Sequence, residues 1–314
     1  MIKASALAPG TCGELVQGSI DGIDFLVTCP VDIFSKVDVT LTRGENIIKC
    51  DPNRPKTAQA VRRSLIRYGE NFYSAYIEVK SGLPTGKGMG SSSADISAAV
   101  AATARALGYE VDPDEIADIA LSIEASDGVM YEGITLFDHR QGRIRRLLGK
   151  PPSLEILVLD PGGEVDTLLF NRHPELRELN RKKERLVIEA LNLVEEGLRK
   201  DDIEALGTGA TISALAHQEI LPKPLLEDVI RLSKELGAVG VNVAHSGTVM
   251  GVLLDPRRVT AEEAEGFVRK RFPQMQILKT RLIGGGVRIK ECNHDSSCAW
   301  RKYRNSSTRI WSKS

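Results

Sequence analysis

Pro84-Thr85-Gly86-Lys87-Gly88-Met89-Gly90-Ser91-Ser92-Ser93-Ala94 is the stretch on which the reading of this chain turns. Glycine at every second position leaves a backbone free to take φ > 0 and to approach a ligand closely. Serines follow, and then an alanine-rich run from Ala94 to Leu107 without Pro or Gly. Alanine is the best helix former, so the run predicts a helix whose N-terminus opens on the serines. Unpaired N–H groups and the positive end of the helix dipole make such a junction an anion site. The anion expected there is a nucleotide phosphate. The alternative is a plain flexible loop before an amphipathic helix, which leaves the entropy cost of the glycines unexplained.

Two familiar phosphate motifs fail. A Walker A loop needs four residues between Gly and Gly-Lys and then Ser or Thr. Here only three residues separate Gly82 from Gly86, and Gly88 follows Lys87. The dinucleotide fingerprint would place Gly at position 93, which is Ser93.

Working outward, Tyr76–Lys80 alternates and predicts the strand that enters the loop. Upstream, Ile2–Ala6, Phe25–Thr28 and Lys36–Thr42 predict strands, and residues 57–69 a helix with a solvated basic face at Arg62, Arg63 and Arg67. Pro9-Gly10 reads as a turn. Downstream, Asp112-Pro113-Asp114-Glu115 is a helix start, with Asp at N-cap, Pro at N1 and Glu115 explained as a cap. That helix ends at Glu124-Ala125-Ser126-Asp127-Gly128, where two carboxylates meet the negative end of the dipole. A nearby cation would offset that. A solvent-facing Glu and a turn-forming Asp-Gly explain the same residues equally well.

Residues 133–143 predict strand, turn, strand, and Ile156–Asp160 a buried strand. Residues 174–236 are helical in pattern, closed by Gly237, and two apolar strands flank His245-Ser246-Gly247-Thr248. A terminal strand is expected over residues 277–290, and a loosely ordered tail from Glu291 to Ser314.

Bulk properties narrow the class. At 314 residues, the chain suggests one large or two intimate domains. Lys+Arg and Asp+Glu balance at 42 each, so no global field recruits nucleic acid or an anionic membrane. No apolar stretch is long enough to span a bilayer. Five scattered cysteines without a C-x-x-C pair fit free thiols and a reducing cytoplasm.

Pro-x-x-x-Gly-Met-Gly-Ser-Ser-Ser-Ala resembles the phosphate loop of the GHMP kinases (galactokinase, homoserine, mevalonate and phosphomevalonate kinases), with Met89 where Leu is usual. Ala8–Gly18 is similar to a shortened form of the family's first motif, with Thr11 where several members carry Lys. Ser246-Gly247-Thr248 resembles a remnant of its third. The resemblance implies an α+β, two-lobed fold, with a ribosomal-protein-S5-like lobe over 1–150 and a ferredoxin-like lobe over 151–290. It implies ATP on Pro84, Gly86, Lys87, Gly88, Met89, Gly90, Ser91, Ser92 and Ser93, with Mg²⁺ on Ser92 and Glu124. Asp127 would be the catalytic group on the acceptor hydroxyl, and Gly13, Glu14, Asp127, His245 and Gly247 would line the acceptor side.

Within that family, Pro-Gly-Thr-Cys-Gly-Glu-Leu-Val-Gln-Gly, Ser-Asp-Gly-Val-Met-Tyr-Glu-Gly and Phe-Asp-His-Arg-Gln-Gly-Arg together resemble the members that phosphorylate L-threonine for the aminopropanol linker of cobalamin. L-homoserine or another small alcohol is the neighbouring expectation. A ligand sensor that keeps the fold without catalysis is the expectation from another class. A homodimer is the expectation kept open for the assembly, which nothing in the sequence fixes.

Overall fold

The computed structural model describes residues 1–165, 170 and 174–290. The expected tail, with Cys292 and Cys298, lies outside the described residues.

The first two strands, β1 (Ile2–Ile20) and β2 (Ile23–Arg43), form one long antiparallel hairpin. Its turn is Asp21-Gly22, both at positive φ (52° and 72°), the left-handed pair that a two-residue hairpin demands. The expected turn at Pro9-Gly10 is absent. β1 runs straight through it, with register shifts at Pro9/Gly10, Thr11/Glu14 and Glu14/Val16. Bulges accommodate a proline inside a strand and bend it, so the segment stays paired with β2 while curving toward the glycine loop.

A short β3 (Ile48–Lys49) and helix α1 (Pro55–Arg67) lead to β4 (Tyr73–Ser81), which pairs with β2 and feeds the loop. Helix α2 (Ser91–Ala106) follows, buried from Ser93 through Ala104. Its alanines allow neighbours on every side, since a helix apolar all round belongs inside a core. Helix α3 (Pro113–Ile123) begins at Asp112, whose side chain accepts the Asp114 N–H at 2.9 Å. Glu115 does not complete a cap, as its carboxylate instead takes Arg67 at 2.8 Å and the Tyr68 hydroxyl at 3.1 Å.

Strands β5 (Ile134–Phe137), β6 (Arg145–Gly149) and β7 (Glu155–Asp160) precede three helices, α4 (Leu176–Lys200), α5 (Ile203–His217) and α6 (Leu226–Glu235). The chain continues through β8 (Gly240–Val243), β9 (Met250–Leu254), α7 (Ala261–Arg271), β10 (Gln276–Arg281) and β11 (Arg288–Lys290). The expected single terminal strand is therefore two. Between them Gly284 packs on Gly133 and Pro151, Gly285 on the Val129 and Tyr131 backbone, too close for any side chain of its own, and Gly286 on Glu132.

All these strands belong to one sheet, ordered β10-β7-β9-β8-β1-β2-β4-β3, with β5, β6 and β11 attached at its side. Among the described residues, only β3 and β4 run parallel. The two halves of the sheet meet where Glu14 of β1 pairs with Val243 of β8. One apolar cluster centres on β1, β2 and α2 but also takes in Val187, Leu191, Val194 and Leu206 of α4 and α5. A second gathers β7, β9, α6 and α7. Among the described residues Cys12, Cys29 and Cys50 are free thiols, and no helix is long and apolar enough to cross a membrane.

Candidate active site

The glycine loop takes the backbone that its sequence predicts. Gly86, Gly88 and Gly90 lie at φ 71°, 80° and 64°. Gly90 is the N-cap of α2, so the unpaired N–H groups of the first turn open onto a cleft of about 620 Å³. A Cβ at Gly88 would come within 2.3 Å of the Ala244 Cβ, and one at Gly247 within 2.2 Å of the Lys87 carbonyl oxygen. Close backbone contact thus joins the loop to the β8–β9 turn. The Thr248 and Val249 N–H groups donate to that same carbonyl at 3.0 and 3.2 Å.

Two carboxylates converge on the serines. Helix α3 ends at Ile123, and Glu124 follows with extended backbone, turning its side chain inward. The Ser92 hydroxyl donates to Glu124 Oε1, and the Lys56 ammonium pairs with Glu124 Oε2. The carboxyl is only 6% exposed, so a solvent-facing Glu is excluded. Ser93 Oγ accepts the Asp127 N–H at 3.0 Å and donates to Asp127 Oδ2 at 3.2 Å. Desolvation raises the Asp127 carboxyl to about 6, against the Ser93 hydrogen bond and with help from the charge of Glu124. Burial, reinforced by Asp127, pushes Glu14 well above the usual carboxylate range, and its Oε2 has no partner among the described residues.

His245 closes the cleft from the other half of the molecule. Its Nδ1 donates to Gln17 Oε1 at 2.9 Å, because Gln17 spends its amide N–H on the Val243 carbonyl at 3.1 Å. Nε2 is therefore the acceptor nitrogen, and it is buried without a partner among the described residues. Burial and the neighbouring His139 and His217 hold the imidazole neutral, well below the ordinary histidine range. His217 lies behind it, donating from Nε2 to the His245 carbonyl at 2.9 Å.

Of the residues expected from sequence, Gly86, Gly88, Met89, Gly90, Ser91, Ser92, Ser93, Glu14, Glu124, Asp127 and His245 line this one cleft. Pro84, Gly13 and Gly247 do not. Gly13 packs on the Val243 backbone at φ 55°, and Gly247 packs on the loop as described. Met89 lines the cleft but buries its side chain in the core. Lys87 turns its ammonium away from the cleft, to Asp160 at 2.9 Å and the Gly163 carbonyl at 2.6 Å.

Asp51, Asn53, Arg54 and Lys56, which sequence reasoning passed over, form the opposite wall. Arg54 pairs with Asp95 of α2. Gln17 was missed as well. Nothing local marks either Lys56 or Gln17, since their partners lie 68 and 228 positions further along the chain.

Residues 53–134 match the GHMP kinases N terminal domain, and residues 194–274 match the GHMP kinases C terminal domain. The chain is 36% identical to the L-threonine kinase of Salmonella typhimurium (strain LT2), over 91% of this chain and 96% of that one. It is 34% identical to the L-threonine kinase of Citrobacter freundii, over 91% of this chain and all of that one (100%). The fold superposes on the crystal structure of homoserine kinase from Cytophaga hutchinsonii with a TM-score of 0.70 and 18% identity, covering 92% of this chain and 98% of that one. A bare-backbone loop at a helix N-terminus, two serine-held carboxylates and matches in both halves of the sequence lead to one conclusion: the chain belongs to the GHMP kinases.

Proposed function

We propose that the protein transfers the terminal phosphoryl group of ATP to the side-chain hydroxyl of L-threonine, giving ADP and L-threonine O-3-phosphate for the aminopropanol linker of cobalamin. One observation carries the reaction type. Adjacent serines on the first turn of α2 hold two carboxylates with different environments, Glu124 on Ser92 and Asp127 on Ser93. The identity of the acceptor rests on the likeness to the two L-threonine kinases.

Mg²⁺ suits the donor set at Glu124. The carboxylate and the Ser92 hydroxyl are hard oxygen ligands, and Glu124 already faces a cation in Lys56. Ser92 and Glu124 would hold the ion, which when bound neutralises charge on the phosphate oxygens. The loop's N–H groups and the α2 dipole bind the phosphates in place. Asp127, ionised above about pH 6, accepts the proton of the threonine hydroxyl. The hydroxyl oxygen bonds to the γ-phosphorus while the bond from phosphorus to the β–γ bridging oxygen breaks. ADP leaves with that electron pair, and Asp127 returns its proton to solvent. Glu14, whose burial favours its neutral form, and the acceptor nitrogen of His245 would present a donor and an acceptor to the polar end of the amino acid.

The test is ADP release with L-threonine, L-serine, L-homoserine or mevalonate as acceptor, with product identified by mass spectrometry. L-threonine should give the highest kcat/KM. Preference for L-homoserine would move the acceptor assignment, and turnover with none of the four would favour a sensor.

A further inference from the structure

Side-chain positive charge beside the terminal phosphate stabilises phosphoryl transfer further, beyond backbone donors and a metal ion. The loop's own lysine does not supply it, because the Lys87 ammonium is spent on Asp160 and the Gly163 carbonyl. Lys3 lies on β1, exposed and absent from the cleft lining. Among the described residues lining the cleft, the lysine and arginine cations are Arg54 and Lys56. Arg54 is paired with Asp95, a carboxylate buried in α2 that also takes the Ser35 hydroxyl. Its charge is committed to holding α1 against α2.

Lys56 is placed differently. It stands in the first turn of α1, and its carboxylate partner is the one that Ser92 holds. An ammonium has three donors and no acceptor. One donor goes to Glu124 Oε2, and the described residues offer no partner for the other two. The side chain is 37% exposed, against 6% for Glu124, so its free donors face the cleft that it lines.

We propose that Lys56 is a catalytic residue of this kinase, donating its two uncommitted N–H groups to the terminal phosphate of the nucleotide while Glu124 fixes its position. The proposal rests on the kinase reading above. It assigns to α1, outside the glycine loop, the side-chain charge that accompanies the transferred group.

The test separates the two readings. Wild type, Lys56→Met and Lys56→Arg are titrated with AMPPCP by calorimetry, with and without Mg²⁺, and ADP release is measured with L-threonine. Loss of a charge-assisted hydrogen bond to phosphate should weaken AMPPCP binding by about 10- to 100-fold in Lys56→Met under both conditions. Turnover should fall by about 100- to 1,000-fold in kcat. Lys56→Arg, which keeps the charge, should recover most of the affinity.

Lys56→Gln retains a donor to Glu124 without the charge and serves if the Met variant does not fold. AMPPCP binding by Lys56→Met or Lys56→Gln within about twofold of wild type would overturn the proposal, leaving Lys56 only a structural partner of Glu124. Wild type that binds AMPPCP but phosphorylates no acceptor would sink the kinase reading, and the AMPPCP titrations would still decide the contact.

Discussion

Replacing Gly88 by alanine tests whether the glycine loop depends on bare backbone. Gly88 sits at φ 80°, where an L side chain costs about 1–2 kcal/mol. Its new Cβ would lie 2.3 Å from the Ala244 Cβ and 3.0 Å from the Gly247 Cα. Neither neighbour is the far end of a flexible side chain, so the loop and the β8–β9 turn must part. Overpacking of this kind costs about 1–3 kcal/mol. Together the two effects should remove about 2–5 kcal/mol of stability. Gly22→Ala supplies the control, because Gly22 lies at φ 72° with nothing within 4 Å of the added carbon. It should lose only the backbone part, about 1–2 kcal/mol. Urea denaturation followed by circular dichroism measures both, and AMPPCP calorimetry should show weakened binding in Gly88→Ala alone. Equal losses in the two variants would refute the reasoning, since the contact with Ala244 and Gly247 would then resist nothing.

Glu124→Gln keeps a hydrogen-bond acceptor for Ser92 but drops the charge, so Mg²⁺-dependent ADP release should fall by at least about 100-fold while the fold survives. Activity within about tenfold of wild type would remove Glu124 from the metal site. For Asp127, the sign follows from a base that works ionised: kcat/KM should rise with pH through about 6 and then level off, and Asp127→Asn should abolish both activity and that limb. Burial lowers the Lys183 amine from 10.5 to about 7, so the native protein releases this proton before the unfolded chain does. The resulting cost to stability is fully present below pH 7 and eases as pH rises toward the unfolded value. Denaturation midpoints taken across that range should climb, and Lys183→Met should flatten the slope.

Much of this fold is legible in sequence because its signals are local. Alternate glycines forced left-handed backbone, alanines with no breaker gave α2, and Asp112-Pro113 opened α3 where a cap and a preset φ belong. Pro9-Gly10 misleads for the same reason. As a local signal it marks a turn, yet pairing with β2 over the whole hairpin outweighs it, and bulges absorb the misfit. The hairpin's real turn, Asp21-Gly22, carried a strong local signal of its own. In the site, Glu124 and Asp127 stand out because carboxylates at a helix C-terminus oppose the dipole. Lys56 does not, because a lysine on an apparently basic helix acquires meaning only once Glu124 folds against it. His245 became legible through its place beside the resemblance to the family's third motif, but its usable nitrogen is set by Gln17, which no spacing rule connects to it.

The meeting of the two half-sheets at Glu14 and Val243 makes one residue both a rung of the backbone ladder and part of the cleft wall. Flexing of one half of the protein against the other would move that rung, and the Glu14 carboxyl with it. On the proposed function, an amino acid held against Glu14 would therefore also brace the contact between the half-sheets.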